Sequence, residues 1–263
     1  MTREVSSATQ RLVLGDCVDI LSKLDRNTID VVVTSPPYNI GIKYNTFDDT
    51  TPRETYLKWV SSVAKQLHRV LSPNGSVFLN VAGSSKDPWV AIDVANIFRS
   101  YFVMQNNITW IKSISIGDDT VGHFKPINSK RFLNHNHEQI FHFTKSGSVT
   151  LDRLAVGVPY KDKSNLKRRQ HTKDKRCAGD TWFIPYPTVN SKAQKFNHPA
   201  SFPIELPKRC IKLHGKANAK VLDPFVGTGT TMLAAQQLNC AGLGIDIDQT
   251  YLDVARNRLL NQV

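Results

Sequence analysis

The amino-acid sequence predicts an α/β fold: an open, twisted, mixed but mostly parallel sheet flanked by helices, with one small basic insert. Three observations predict it. Short β-branched runs alternate with longer amphipathic ones along most of the 263 residues. Near the C-terminus a short apolar run enters a Gly-containing turn that opens a helix. A single stretch, 146–195, breaks the alternation by being polar, Pro-containing and basic. At 40% hydrophobic and 21% charged residues, the chain can bury one substantial core, and wholesale disorder is excluded.

The elements follow in order. Val31, Val32 and Val33 form a buried-strand candidate that stops at Pro36 and Pro37, because neither proline can donate to a ladder. Pro52 to Leu71 predicts a helix with Thr51 as N-cap, Pro52 at its first position and Glu54 placed for a capping box. Tyr56, Trp59, Val60, Val63, Leu67 and Val70 keep helical spacing along it. Pro73-Asn74-Gly75 reads as a turn, and Ser76 to Val81 as the next strand. A helix from Pro88 to Phe98 precedes strands around Val103–Ile111 and Glu138–Phe143. Lys220 to Leu222 is a short strand, Thr230 to Leu238 a helix, Gly242 to Ile247 a strand, and Gln249 to Leu260 the closing helix.

The balance of 34 Lys and Arg against 22 Asp and Glu gives a net charge of +12, which points to a polyanionic partner. The excess is uneven. Lys161, Lys163, Lys167, Arg168, Arg169, Lys173, Lys175 and Arg176 stand close together in the insert against only Asp162 and Asp174. Such a run is either a solvated loop or a phosphate-docking surface. Cys17, Cys177, Cys210 and Cys240 form no C-x-x-C pair, so zinc-ribbon and thioredoxin-like sites are unsupported, and scattered thiols fit a reducing compartment. Residues 1–10 lack an apolar signal core, and no run approaches the roughly 18 apolar residues of a membrane span. A cytoplasmic location without a membrane partner is expected.

Two motifs carry chemistry. The first is Asp223-Pro224-Phe225-Val226-Gly227-Thr228-Gly229-Thr230, between a strand and a helix, where glycines let the backbone approach a nucleotide-like ligand. No Lys follows the glycines, which excludes a P-loop, and the third glycine of a dinucleotide loop is missing. S-adenosylmethionine, which has no phosphate, suits this shorter turn. Asp246, at the end of the next strand in Gly242-Leu243-Gly244-Ile245-Asp246, is placed to accept both ribose hydroxyls, with Ile247 beside it.

The second motif is Thr34-Ser35-Pro36-Pro37-Tyr38. The exocyclic amine of cytosine or adenine is a poor nucleophile, because its lone pair is delocalised into the ring. Catalysis needs acceptors that hold the amine's hydrogens and favour a pyramidal nitrogen. The Ser35 hydroxyl and the Pro36 carbonyl can serve, the two prolines stiffen the loop, and Tyr38 offers a π-face for a flipped base. A Pro-Pro turn with an ordinary half-buried Tyr is the bland alternative, weakened by the Val-rich strand before it and by the Gly-rich motif.

In the order of these motifs, the sequence resembles the beta-class DNA amino-methyltransferases of bacterial restriction–modification systems, in which the S/D/N-P-P-Y/F motif precedes the cofactor motif and a target-recognition region lies between. The resemblance covers nearly the whole chain and includes Gly15-Asp16-Cys17, the run from Asn134 to Lys145, and His198 to Pro203. It implies a circularly permuted Rossmann-like methyltransferase fold: a catalytic part at 1–145, a target-recognition insert at 146–195 and a cofactor-binding part at 196–263. It implies S-adenosylmethionine as cofactor, held by Asp16, Cys17, Thr34, His198, Ser201 and Phe202 together with Asp223, Pro224, Phe225, Gly227, Gly229, Thr230, Asp246 and Ile247. It also implies double-stranded DNA as substrate, contacted by the basic insert, with a homodimer and a cognate endonuclease as further partners of the class. Ser before Pro-Pro is usual in this family for the N4 amine of cytosine, Asp or Asn for the N6 amine of adenine. The expectation is therefore N4-cytosine methylation, with N6-adenine as the nearest rival. A non-catalytic DNA-binding protein and an RNA or protein-glutamine methyltransferase are more distant ones.

His135, His137, Glu138 and His142 resemble a metal cluster, but H-E-x-x-H spacing fails, so no metal is expected and a sheet-edge or DNA-contact role is the plainer reading. Trp110 is expected in the core; Trp182 could be core or DNA-facing. Cys17 reads as a small apolar residue rather than a nucleophile, and no cysteine follows a proline as five-position cytosine methylation would require.

Overall fold

The computed structural model describes residues 9–85, 87–116, 119–122, 128–163, 174–186 and 202–261. In chain order the elements are β1 (Gln10–Leu14), α1 (Cys17–Ser22), β2 (Ile29–Thr34), α2 (Arg53–Val70), β3 (Leu71–Val81), α3 (Val90–Arg99), β4 (Val103–Ile111), the hairpin β5 (Ile114–Ile116) and β6 (Asp119–Val121), β7 (His137–Thr144), β8 (Thr181–Phe183), α4 (Glu205–His214), β9 (Lys220–Asp223), α5 (Thr230–Gln237), β10 (Ala241–Asp246) and α6 (Gln249–Asn261).

Eight strands form one sheet in the order β1-β10-β9-β2-β3-β7-β4-β8. Among the described strands of this sheet, β7 alone runs opposite to the others. The C-terminal strands β9 and β10 are inserted between the N-terminal β1 and β2, which is the permutation made visible. Every residue of β2 is buried, as expected of a strand covered on both faces. Its side chains alternate, Val32 into the core with α1, α2 and α3, Val31 and Val33 into the core with α4 and α5.

Several boundaries differ from expectation for identifiable reasons. Helix α2 starts at Arg53 with Pro52 at the cap position and no side-chain cap. Thr51 is diverted, since its carbonyl and hydroxyl accept from Asn39 Nδ2 at 2.7 and 3.3 Å. Glu54 pairs with Lys58 instead of closing a capping box. Pro73-Asn74-Gly75 bulges out within β3, where Leu71 faces Ile29 and Ser76 already faces Val31. The span 146–195 is not wholly separate from the sheet, because β8 pairs with β4, and Trp182 and Ile184 are buried in the core. Trp110 is buried as expected and donates from Nε1 to the Ile184 carbonyl at 2.8 Å. No described helix is long and apolar enough to cross a membrane.

Candidate active site

Strands β2 and β9 are neighbours whose chains depart on different routes, so their C-terminal ends mark the switch point where open α/β sheets hold ligands. Both motifs leave from there. Thr34 Oγ1, at the end of β2, donates to Asp223 Oδ1 at the end of β9 at 2.7 Å. Asp223 also accepts from Phe225 N at 3.1 Å and from Thr231 Oγ1 on α5 at 2.6 Å. The carboxylate thus ties β2, β9 and α5 together. Burial pushes its pKa up to about 6, against the pull of these three hydrogen bonds.

The loop after β2 is held from outside and from within. Tyr56 on α2 donates to the Pro37 carbonyl at 2.8 Å. Asn39 takes a left-handed conformation (φ 57°), which Asn tolerates better than most residues. The buried Asp49 then accepts from the backbone N–H groups of Asn39, Ile40 and Ile42 at 2.7, 3.1 and 2.9 Å. Inside the loop, the hydroxyls of Ser35 and Tyr38 lie 2.7 Å apart. The Tyr38 hydroxyl is 3.2 Å from both Glu138 Oε2 and the Asn80 carbonyl, and it accepts from Asn80 Nδ2 at 2.8 Å. Glu138 further accepts from Asn80 Nδ2 at 2.6 Å and from Lys112 Nζ at 2.9 Å. Burial, then the neighbouring Glu138, holds the Tyr38 phenol well above its ordinary range.

The other half is built on β9 and β10. Asp246 accepts from Gly227 N and Asp248 N at 2.9 Å each, one per carboxylate oxygen, and also from the Ile247 N–H. Burial raises its pKa. Gly229 (φ 83°) must be glycine, since a Cβ there would lie 2.7 Å from the Ala255 Cβ. Asp248 accepts from Thr46 at 3.0 Å, which ties the loop after Tyr38 to this edge. Arg258 braces the glycine turn through the Thr228 carbonyl at 2.7 Å and Thr230 Oγ1 at 3.1 Å.

Between the halves lies a cleft of about 680 Å³, the size of a small-molecule site. Ser35, Pro36, Pro37 and Tyr38 line one part of it. Asp223, Phe225, Gly227, Thr230, Asp246 and Ile247 line another, and Phe202 joins them. Thr34, Pro224 and Gly229 stand behind these walls rather than on them. Asp16 and Cys17 also stand off the cleft. Asp16 caps α1 by accepting from Val18 N at 2.8 Å and Asp19 N at 3.2 Å, and the preceding Gly15 N donates to the Asp246 carbonyl. Cys17 is buried, and burial pushes its thiol up to about 12, which removes it as a nucleophile. His198 and Ser201 lie outside the described residues, as do Lys167, Arg168, Arg169 and Lys173. Lys161, Lys163, Lys175 and Arg176 are exposed and away from the cleft, with Lys163 ion-paired to Asp174.

Glu138, Asn80 and Lys112 line the cleft but were not among the expected site residues. A signal existed for Asn80, a lone amide in the apolar run Val77–Val81. The histidine cluster separates: His142 is sealed between Asn106 and Ser76, His135 lines the cleft, and His137 is exposed. Among the described residues, no three His, Cys, Asp or Glu side chains are grouped to hold a metal ion.

The DNA methylase family N6_N4_Mtase matches residues 29–257. The chain is 32% identical to the Type II methyltransferase M.BglII of Bacillus subtilis over 92% of its own length and 66% of that protein's, just under two thirds. It is 30% identical to the Type II methyltransferase M.HpaI of Haemophilus parainfluenzae, covering 95% of this chain and 74% of that one. The structure of the PvuII DNA methyltransferase (cytosine-N4-specific) superimposes with a TM-score of 0.72 over 98% of this chain and 94% of the other, at 18% identity, a likeness of fold. The fold is accordingly that of the methyltransferases, and the chain belongs to the N6/N4 DNA methylase family.

Proposed function

We propose that this protein transfers a methyl group from S-adenosylmethionine to the N4 amine of cytosine in duplex DNA, within a Type II restriction–modification setting. One observation carries the reading: the Ser35–Tyr38 hydroxyl pair and the Asp246 carboxylate open onto the same cleft, so amine acceptors and a nucleoside-binding edge share one space. The residues fit the methyl donor. The Asp246 carboxylate on the cleft wall suits a ribose diol, and Phe225, Ile247 and Tyr251 offer apolar walls for a planar base. Acidic groups at Asp223, Asp246 and Asp248 suit a cation, and no lysine stands in the glycine turn for a phosphate. When bound, S-adenosylmethionine supplies an electrophilic methyl group on a sulfonium.

The chain's own part is to receive and orient the base. The target base leaves the helix stack and enters the cleft against the Tyr38 ring. Ser35 Oγ and the Pro36 carbonyl accept the amine hydrogens, exposing the nitrogen lone pair. Exposed Lys161, Lys175 and Arg176 contact duplex phosphates with the other basic residues of the insert. The neutral Ser35, in place of Asp or Asn, supports cytosine over adenine. The test is expression in a methylation-free host followed by mass spectrometry of the plasmid nucleosides and sequencing of the modified sites. N4-methylcytosine is the expected product; N6-methyladenine alone overturns the choice of base, and unmodified DNA overturns the activity.

A further inference from the structure

A serine hydroxyl helps an amine only if its own proton points elsewhere. The geometry behind Ser35 decides this. Glu138 stands at the start of β7 with its side chain 14% exposed, and a carboxylate only accepts hydrogen bonds. The Tyr38 hydroxyl has a single proton and three acceptors within reach: Ser35 Oγ at 2.7 Å and, on the side of β3 and β7, Glu138 Oε2 and the Asn80 carbonyl at 3.2 Å each. The carboxylate is the strongest acceptor of the three, which favours the arrangement with that proton pointing inward, away from Ser35. In that arrangement the phenolic oxygen, already accepting from Asn80 Nδ2 at 2.8 Å, also accepts from Ser35 Oγ at 2.7 Å. Ser35 spends its proton on Tyr38 and turns its lone pairs outward.

We propose that Glu138 is a positioning residue that polarises the Tyr38–Ser35 hydroxyl pair and receives, through it, the proton released by the target amine; this rests on the methyl-transfer reading above. The balance closes. The amine nitrogen forms its bond to the methyl carbon as the carbon–sulfur bond breaks, with its electron pair staying on sulfur. The surplus proton passes from nitrogen to Ser35 Oγ, the Ser35 proton to the Tyr38 oxygen, and the Tyr38 proton to Glu138 Oε2. The amine ends neutral and methylated, the two hydroxyls are restored, and Glu138 holds the proton until water removes it. This supplies the negative charge that Ser35 itself lacks.

The groups facing Glu138 are Lys112 at 2.9 Å beyond the end of β4, Tyr38 from the loop after β2, and His135 from the segment before β7. Lys112 holds the other carboxylate oxygen, Oε1, and leaves Oε2 to Tyr38 and Asn80. The experiment measures single-turnover transfer to plasmid DNA against pH for wild type, Glu138→Gln and Lys112→Met, with S-adenosylmethionine affinity by calorimetry and unfolding midpoints alongside. Glu138→Gln is expected to transfer about 100-fold more slowly, with cofactor affinity unchanged and the acid limb of the wild-type profile gone. Lys112→Met is expected to move that limb toward neutral pH. Wild-type rates and profile in Glu138→Gln overturn the proposal. If Glu138→Gln does not fold, an unmoved acid limb in Lys112→Met overturns it instead. A wild-type protein that transfers no methyl group sinks the methyl-transfer reading itself, which separates the two failures.

Discussion

Strands β3 and β7 carry two polar networks that differ in kind. At one end of the pair, Asn80 and Glu138 join Tyr38, Ser35 and Lys112 at the cleft. Four residues away on each strand, Ser76 and His142 join Asn106 and His214, with Ser76 Oγ 3.0 Å from a ring nitrogen of each histidine. The second network is closed at its centre, where Ser76 and His142 are fully buried. His142 is fully buried, its ring stacks on Phe78 at 4.5 Å, and burial, then the neighbouring His214, brings its pKa down to about 3, so it is neutral. The first network keeps charges and opens to a cavity, and Asn80 Oδ1 is buried there without a partner. A closed network satisfies its members to hold a fold, whereas an open one leaves acceptors available to a ligand.

Substitutions at the two ends should therefore separate activity from stability. Ser35→Ala removes the hydroxyl at the cleft and is expected to slow transfer by about 10² to 10⁴ while the unfolding midpoint hardly moves. His142→Phe keeps the stacking on Phe78 but leaves Asn106 without its partner. It is expected to cost about 2–3 kcal/mol of stability and to leave the single-turnover rate of the folded enzyme unchanged. Urea unfolding and rapid-quench kinetics on both variants are the check, and a rate loss in His142→Phe equal to that of Ser35→Ala would dissolve the distinction.

Acid sharpens the contrast. The folded pKa of His142 is depressed below the ordinary 6.5, so the folded state binds fewer protons than the unfolded chain between about 6.5 and 3. Its contribution is present above pH 6.5 and is lost progressively as pH falls toward 3. The cost of His142→Phe should consequently shrink between pH 7 and pH 4.5. A cost that is the same at both pH values would mean that His142 is not held neutral.

What was legible in the chain follows the same division. Ser35 to Tyr38 and Asp223 to Thr230 are each contiguous, and local chemistry suffices to read a stiff loop or a glycine turn. The partners of Tyr38 are not contiguous. Glu138 reaches it only because β7 is inverted beside β3 in a register that faces Asn80 with Ile140, and no periodicity encodes that register. Glu138 also sits among His135, His137 and His142, a composition that resembles a metal cluster. The N-cap at Thr51 failed because a distant Asn39 claimed its oxygens. The strand β8 was hidden inside a stretch whose composition reads as loop, although Trp182 and Ile184 signalled burial.

Asp223 stands between the two kinds of group, since it lines the cleft yet bonds only to the chain around it. Its folded pKa, about 6 against the ordinary 3.8, makes the sign opposite to that of His142. The stability it contributes is full below 3.8 and is lost as pH rises through 6, because the buried group must then carry a charge. Asp223→Asn cannot ionise. The variant should gain on wild type by about 2 kcal/mol between pH 4.5 and pH 7.5, whatever its offset from losing one of the oxygens that Thr34, Thr231 and Phe225 share. His142 and every other titrating group are common to both proteins and cancel in this difference. Urea unfolding at the two pH values measures it. A constant difference would show that Asp223 ionises as an ordinary carboxylate, and would move it from the sealed kind of group to the open kind, with a lone pair free to meet the ligand.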